Sequence, residues 1–260
     1  VGSEMCIRDS CMSTTSLMPS SESDIRDLLI SETEGLHIAG GQSRLRATEE
    51  KVISTCALTG IVEYEPGALT MVAKAGTPLS IIDETLQKEN QQLAFEPPEY
   101  KHILNLLGHS TIGGVFATNA SGSRRIQVGA ARDHLLGVRF VDGLGRVVKN
   151  GGRVMKNVTG YDLVKLMAGS WGTLGIITEV SFKVLPIAET QVTLQIASRE
   201  ASILTRAMNT PYDVSGTFYD VASGFAYIRI EGFDKSVIFR MQRLLKEFSD
   251  FEFVIFDAED

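Results

Sequence analysis

The sequence predicts an α+β chain of two successive domains, and two patterns carry that prediction. Up to about residue 186, short apolar runs end repeatedly in glycine-rich turns. From Gln191 onward the order becomes strand, helix, strand, strand, helix, strand, the split ferredoxin-like arrangement. The domains are therefore placed at 24–186 and 187–260, with 1–23 set aside as a disordered or artefactual lead-in.

Each element has a local reason. Val1 to Ser10 shows no hydrophobic period and reads as cloning or assembly read-through, with Met12 as the expected start. The following stretch to Ser23 is rich in Ser and Thr. Ser23-Asp24 ahead of Ile25, Leu28 and Leu29 predicts a capped helix. Leu36 to Ala39 is a short buried strand running into Gly40-Gly41-Gln42-Ser43, and Val52 to Ser54 is the next strand. Glu65-Pro66-Gly67 is a turn before a strand from Leu69 to Lys74. Thr77 is expected to cap a helix with Pro78 in its first position and Leu79, Ile82 and Leu86 on one face. A Pro97-Pro98 loop leads into 108–129, which carries too many glycines to read as one helix or strand. Asp142-Gly143-Leu144-Gly145 predicts a hairpin turn, Asp162 a helix cap before Leu163 to Ala168, and Ile176 to Leu185 a strand ended by Pro186.

Composition narrows the function classes. With 43% hydrophobic and 22% charged residues over 260 positions, the chain has a globular make-up. Its net charge of −7 argues against nucleic acid as a partner, which needs a basic face. An anionic ligand must be held by local geometry instead. Cys6, Cys11 and Cys56 make neither a metal set nor a disulfide framework, so no metal is expected and the expected compartment is the cytoplasm. No apolar run is long enough to cross a bilayer, and peripheral association with an inner membrane stays open.

Four glycine clusters stand out: Gly40 to Ser43, Thr111-Ile112-Gly113-Gly114, Asn119-Ala120-Ser121-Gly122, and Gly172-Thr173-Leu174-Gly175-Ile176. Glycine tolerates positive φ and lets a ligand approach the main chain. Successive amides in such turns converge on an anion, and Ser43, Thr111, Ser121 and Thr173 add hydroxyls. That makes a phosphate cradle without any Lys or Arg. Each cluster alone is also what an ordinary tight turn looks like. None has the G-x-G-x-x-G spacing of a nicotinamide-binding turn.

In order along the chain, these clusters resemble the FAD-binding domain of the vanillyl-alcohol oxidase and p-cresol methylhydroxylase (PCMH) family. The residues that carry the resemblance are Ala39 to Ser43, Glu65-Pro66-Gly67 with Ala75 to Leu79, Thr111 to Gly114 with Asn119 and Gly122, and Gly169 to Thr178. Within that family, Glu96-Pro97-Pro98 and Gly152, Val154 to Asn157 and Gly160 to Asp162 are similar to the E-subunit family of bacterial glycolate oxidases. The resemblance implies a two-lobed PCMH-type FAD-binding domain, a small lobe and a larger antiparallel sheet with FAD between them, followed by the ferredoxin-like cap. Whether the cap is truncated stays open.

By the same resemblance, the pyrophosphate lies on Ala39, Gly40, Gly41, Gln42 and Ser43 and on Thr111, Ile112, Gly113 and Gly114. Asn119 and Gly122 lie toward the flavin, and Gly172, Thr173, Gly175, Ile176 and Ile177 toward ribose and adenine. Pro97 joins the cofactor-binding set. Covalent members often carry a histidine in the pyrophosphate turn; Gln42 and Ser43 stand there here, so FAD is expected to be non-covalent.

The implied function is the FAD-binding subunit of a glycolate (2-hydroxy-acid) oxidase or dehydrogenase complex. Electrons would pass through flavin to a partner, with a catalytic flavoprotein subunit and an iron–sulfur subunit as companions. Histidine-rich substrate sites of related subunits lie beyond the FAD domain, whereas His37, His102, His109 and His134 all precede residue 150. A non-catalytic flavin-binding scaffold is therefore the alternative, and a nucleotide-sugar reductase fits less well. The catalytic residue is not assigned. His109, Arg124-Arg125 and Lys156 are weighed as groups near flavin, phosphate or substrate against solvated or structural roles. Tyr161 and Trp171 are read as core aromatics before stacking ones, and Cys56 as a buried small residue.

Overall fold

Ser16 and Leu17 form a strand, β1, inside the stretch expected to be a structureless lead-in. In the computed structural model, residues 16–44, 51–153, 160–198 and 200–257 are described. After β1 come α1 (Glu22–Ser31), β2 (His37–Ala39), β3 (Val52–Ser54), β4 (Ile61–Glu65), β5 (Thr70–Lys74) and α2 (Leu79–Gln87). Next are β6 (Gln91–Gln92), α3 (Tyr100–Leu104), α4 (Ile112–Thr118), α5 (Arg125–Val128), α6 (Ala131–His134), β7 (Leu135–Val141) and β8 (Val147–Gly151). The chain continues through α7 (Leu163–Met167), β9 (Ile176–Lys183), β10 (Leu185–Pro186), β11 (Thr190–Ala197), α8 (Ser202–Met208), β12 (Val214–Asp220), β13 (Phe225–Gly232), α9 (Asp234–Glu247) and β14 (Phe253–Asp257).

These elements fall into two units. One holds the chain up to Leu93, Pro97–Ala120 and Ala130–Leu185; the other holds Ala94–Glu96, Ser121–Gly129 and the chain from Pro186 onward. The second unit thus borrows two short pieces, one just before the Pro97-Pro98 loop and one from within the glycine-rich region.

The first unit contains a small parallel sheet and a larger antiparallel one. The small sheet has the order β1-β3-β2, pairing Ser16 with Val52 and His37 with Val52 on opposite sides of β3. The larger has the order β4-β5-β9-β7-β8. A shared core of Ile25, Ile53, Leu58, Val141 and Ile176 joins the two. Helix α1 is started by a capping box two residues before the expected cap. The Asp24 amide donates to Ser21 Oγ at 3.1 Å, and the Ser21 amide donates to the Asp24 carboxylate at 3.0 Å. From α1, Glu22 accepts two hydrogen bonds from Arg139 of β7, each 2.6 Å, and a third from Thr178 of β9 at 2.6 Å.

One local expectation changes for a physical reason. Thr77 does not cap α2; Pro78 holds that position. The fully buried Thr77 hydroxyl donates instead to Lys74 O at 2.7 Å and accepts the Gly60 amide at 3.0 Å, closing the turn before the helix. The region 108–129 is, as expected, not one element; it holds two short helices, α4, capped by Thr111, and α5. The glycines of α4 hid that helix, because glycine is a poor helix former. Phe116 of α4 packs on Phe182 of β9 with centroids 5.6 Å apart. Asp162 caps α7 as expected, accepting the Lys165 amide at 3.0 Å.

The second unit has the expected order of elements, β11-α8-β12-β13-α9-β14, in one antiparallel sheet ordered β12-β13-β11-β14. Alternation puts Leu194, Ile196, Ile228 and Ile230 on one buried face. Val237, Met241 and Leu244, at i, i+4 and i+7 of α9, pack in the same core. Each such side chain contributes about 1.5–3 kcal/mol on burial.

Candidate functional site

The site is built where β2 runs out of the small sheet. Beyond Ala39 the chain turns through Gly40 and Gly41, and Gln42 takes a left-handed φ of 54°. Thr55 Oγ1 donates to Ala39 O at 3.4 Å; Ser54 Oγ and Cys56 Sγ both donate to Gly40 O, each at 3.3 Å. The turn's carbonyls are therefore tied back to β3 and the residues after it. Among the described residues, the amides of Gly40, Gly41 and Gln42 donate to no partner. They are the groups an anion needs.

A second loop, 108–111, locks against the first. His109 N donates to Gly41 O at 2.9 Å. A Cβ on Gly41 would stand 1.9 Å from His109 O, one on Gly108 2.1 Å from Gly41 O, and one on Gly40 2.4 Å from Thr111 Oγ1. These glycines are required by the approach of one loop to the other. Helix α4 then begins at Thr111. Its first amides are already used: Ile112 N donates to Thr77 O at 3.0 Å and Gly113 N to Ala75 O at 2.8 Å. Gly114 N also donates, to Thr111 Oγ1 at 3.4 Å, but that oxygen alone lies within 4 Å of a Cβ built on Gly114, at 3.1 Å.

Ala39, Gly40, Gly41, Gln42, Ser43, Thr111, Gly113, Gly114, Gly172 and Ile177 line one cleft of the first unit. The other predicted positions have packing roles. Ile112 and Ile176 are buried in the core. Thr173 Oγ1 donates to Ser170 O at 2.6 Å, and a Cβ on Gly175 would come 2.7 Å from Val141 O. Asn119 ends α4 at φ 51°, its side-chain oxygen accepting the Arg132 amide at 2.9 Å. Pro97 belongs to the first unit and is not part of the cleft lining. Gly122 belongs to the second unit, where its amide donates to Phe95 O at 2.8 Å and a Cβ would meet Glu96 O at 2.3 Å.

Sequence reasoning missed several lining residues, Arg44, Thr55, Ser110 and Thr118, and read Trp171, which also lines the cleft, as core before stacking. Arg44 matters most, because the cradle was expected to contain no cation. Its guanidinium stacks over Tyr100 at 4.1 Å, and Nη1 donates to Thr118 Oγ1 at 2.5 Å. Ser43 is buried, with its hydroxyl 3.0 Å from Ser110 Oγ, which donates to Glu99 at 3.1 Å. With one proton per hydroxyl, this chain runs from the cleft toward Glu99. Burial pushes His109 below the usual imidazole range, opposed in part by Glu99.

Other expectations resolve differently. Trp171 is 51% exposed and Tyr161 88% exposed, so neither is a core aromatic. Arg124 is not solvated: it is buried in the second unit with Nη2 3.3 Å from Glu231, which also pairs with Arg229 at 2.6 Å. Arg125 is exposed. Cys56 is half-buried. Lys156 lies outside the described residues, as do Val154, Met155 and Asn157. Among the described residues, no His, Cys, Asp and Glu set could hold a metal, and no helix is long and apolar enough to cross a membrane.

The sequence matches the FAD binding domain family over residues 19–151. The chain belongs to that family. Its cofactor is FAD. The match contains the 40–43 turn, the 108–114 loop and the start of α4, the parts that build the cleft. The unspent amides and the open side of Gly114 suit a pyrophosphate lying along the turn. The chain is 38% identical over 214 residues to glycolate oxidase subunit GlcE of Escherichia coli (strain K12), covering 80% of this chain and 59% of that protein. Glycolate oxidase subunit GlcD of Bacillus subtilis (strain 168) is 45% identical over 52% of this chain and 27% of its own length. D-lactate dehydrogenase of Anaerostipes hadrus is 34% identical over 56% and 29%. The chain thus spans less than two thirds of these relatives. Among solved structures, alkyldihydroxyacetonephosphate synthase superposes with a TM-score of 0.69, covering 90% of this chain and 50% of that one at 19% identity. That likeness concerns the fold: a two-lobed PCMH-type FAD domain followed by a ferredoxin-like unit.

Proposed function

We propose that the chain is the FAD-binding subunit of a glycolate or related 2-hydroxy-acid oxidase complex. The observation that carries this is the cleft at the 40–43 turn, whose amides stand ready for a diphosphate inside a chain with a GlcE relative. When bound, flavin supplies the redox step, taking two electrons from a substrate and passing them on. The protein's share is to hold and orient. Gly40 to Ser43 grip the pyrophosphate, the open side of Gly114 gives it room against α4, and Gly172 and Ile177 border the cleft for the nucleoside part. Among the described residues, the cleft lining holds no His, Cys or Tyr, the side chains that tether flavin, and the reading keeps FAD non-covalent. The natural companions are a GlcD-like flavoprotein subunit and an iron–sulfur subunit that accepts electrons.

A second reading is a flavin-binding scaffold without turnover of its own. It is favoured by the placement of His37, His102, His109 and His134 in the first unit, with no histidine in the second. One experiment separates the two. The purified chain, loaded with FAD, is mixed anaerobically with glycolate or D-lactate while the flavin's visible band is followed. Bleaching supports the enzyme; a stable spectrum with FAD bound supports the scaffold. A chain that takes up no FAD in calorimetry sinks both. Flavin that stays with the denatured chain on a gel would overturn the non-covalent assignment.

A further inference from the structure

We infer that Arg44 is the cationic arm of the pyrophosphate site, held in readiness by Thr118 and Tyr100. This rests on the FAD reading above and adds a residue that glycine-turn recognition does not require.

Three observations lead there. Arg44 lines the cleft one residue beyond the turn. Its Nη1 is fixed by Thr118 Oγ1 at 2.5 Å and its plane by Tyr100 at 4.1 Å, so the head group is oriented rather than swinging in solvent. Its Nη2 is shut off from solvent and has no hydrogen-bond partner among the described residues. Burial works against the charge, while Tyr100 and Glu99 partly support it. A guanidinium stays protonated in such a place and must find acceptors for its donors. Buried donors left unmatched are rare and costly, and they concentrate at functional sites. The acceptor that completes this one is an anionic oxygen entering the cleft beside the Gly40–Gln42 amides. A diphosphate supplies such oxygens on both sides: one group meets the backbone, another the guanidinium. The planar fork suits phosphate, and pre-fixing it lowers the ordering cost on binding. Thr118 closes the chain of dependence, because its hydroxyl also donates to Gly114 O at 2.7 Å, in the helix that borders the cleft.

Isothermal titration of the whole chain with FAD, ADP and riboflavin tests this. ADP carries the diphosphate without flavin; riboflavin carries the flavin without phosphate. Arg44→Gln is expected to weaken FAD and ADP by about 10- to 100-fold, the loss of one charge-assisted hydrogen bond. It leaves riboflavin unchanged and flattens the salt dependence of ADP binding. Arg44→Lys, keeping the charge but not the fork, falls between. Thr118→Val, which frees the guanidinium but retains it, weakens FAD and ADP by several-fold. If Arg44→Gln binds FAD and ADP within twofold of wild type, or loses riboflavin by the same factor, the inference is overturned while the FAD reading stands. If wild type binds none of the three, the FAD reading falls first.

Discussion

Gly41 and His109 exchange main-chain positions that no side chain could share. The carbonyl of Gly41 accepts the His109 amide at 2.9 Å, and the His109 carbonyl stands 1.9 Å from where a Cβ on residue 41 would be. Glycine at position 41 is thus needed first for loop-on-loop packing. On the proposed placement of the pyrophosphate, access to the turn amides follows from that packing.

Gly41→Ala therefore damages stability and binding together. The clash is with backbone, which cannot rotate away as a flexible side chain would. Overpacking of this kind costs about 1–3 kcal/mol. The thermal midpoint is expected to fall and FAD affinity to drop by about 5- to 150-fold, from a cost of the same size applied to the bound geometry. Calorimetry on the apo and FAD-loaded chain reads both.

Acid sensitivity has an identifiable source in the Glu22–Arg139 pair. The two hydrogen bonds from Arg139 hold the Glu22 carboxyl below its ordinary 4.5; Thr178 adds to this and burial opposes it. A carboxylate whose folded pKa is depressed stabilises the fold fully above its unfolded value. That contribution is lost as pH falls from 4.5 through the folded value. Glu22→Gln should lower the urea midpoint at pH 7 by the equivalent of about 1 kcal/mol, since the pair is only partly buried. Near pH 4 the gap to wild type should narrow. Asp24, Asp142 and Asp220 are held low by their own hydrogen bonds, so part of the acid limb persists in the variant. A gap that stays constant from pH 7 to 4 would show that Glu22 is not a titrating contributor.

The second domain was the most legible part of the chain. Its alternation at Leu194, Ile196, Ile228 and Ile230 and its period in Val237, Met241 and Leu244 leave one way to bury both patterns. The pieces 94–96 and 121–129 gave no such signal. They join the second unit through backbone closeness, as Gly122 shows against Glu96, and closeness has no period. The glycine turn was legible because Gly40-Gly41 directly after a strand marks a tight turn and three further glycine clusters accompany it. Arg44 was not, because a single arginine after a turn is ordinarily solvated; only Thr118 and Tyr100, 74 and 56 positions away, fix it. Thr77 illustrates the opposite error. A local rule predicted a cap, but burial gave its hydroxyl the non-local Gly60 amide.

Trp171 offers a direct reporter of cofactor entry. It is the chain's single tryptophan, half-exposed, at φ 56° on the rim of the cleft. Its amide donates to Ala117 O at 2.9 Å, which keeps this left-handed residue beside the cleft. Adding FAD to the apo chain is expected to quench most of the tryptophan emission in a saturable way, with ADP producing a smaller change. Trp171→Phe should retain FAD binding within about 10-fold, as befits the loss of one partly exposed aromatic contact. Emission indifferent to FAD while calorimetry records binding would place the cofactor elsewhere.

Adjacent glycines in α4 separate packing from ligand access most cleanly. A Cβ on Gly113 would stand 2.5 Å from Ala75 Cβ and 2.8 Å from Ala75 O, against the strand that α4 must touch. Gly113→Ala therefore pushes the helix off β5 and should destabilise the apo chain by about 1–3 kcal/mol. A Cβ on Gly114 meets only Thr111 Oγ1, at 3.1 Å, and the helix gains an alanine in place of glycine. Gly114→Ala should change apo stability by less than about 1 kcal/mol. Yet the added methyl projects from a residue that lines the cleft, where on the proposed placement the diphosphate approaches the main chain. FAD affinity should then fall while the apo thermal midpoint stays near wild type. If Gly114→Ala binds FAD as wild type does, the start of α4 is not part of the pyrophosphate site, and the amides of Gly40 to Gln42 must hold the cofactor without it.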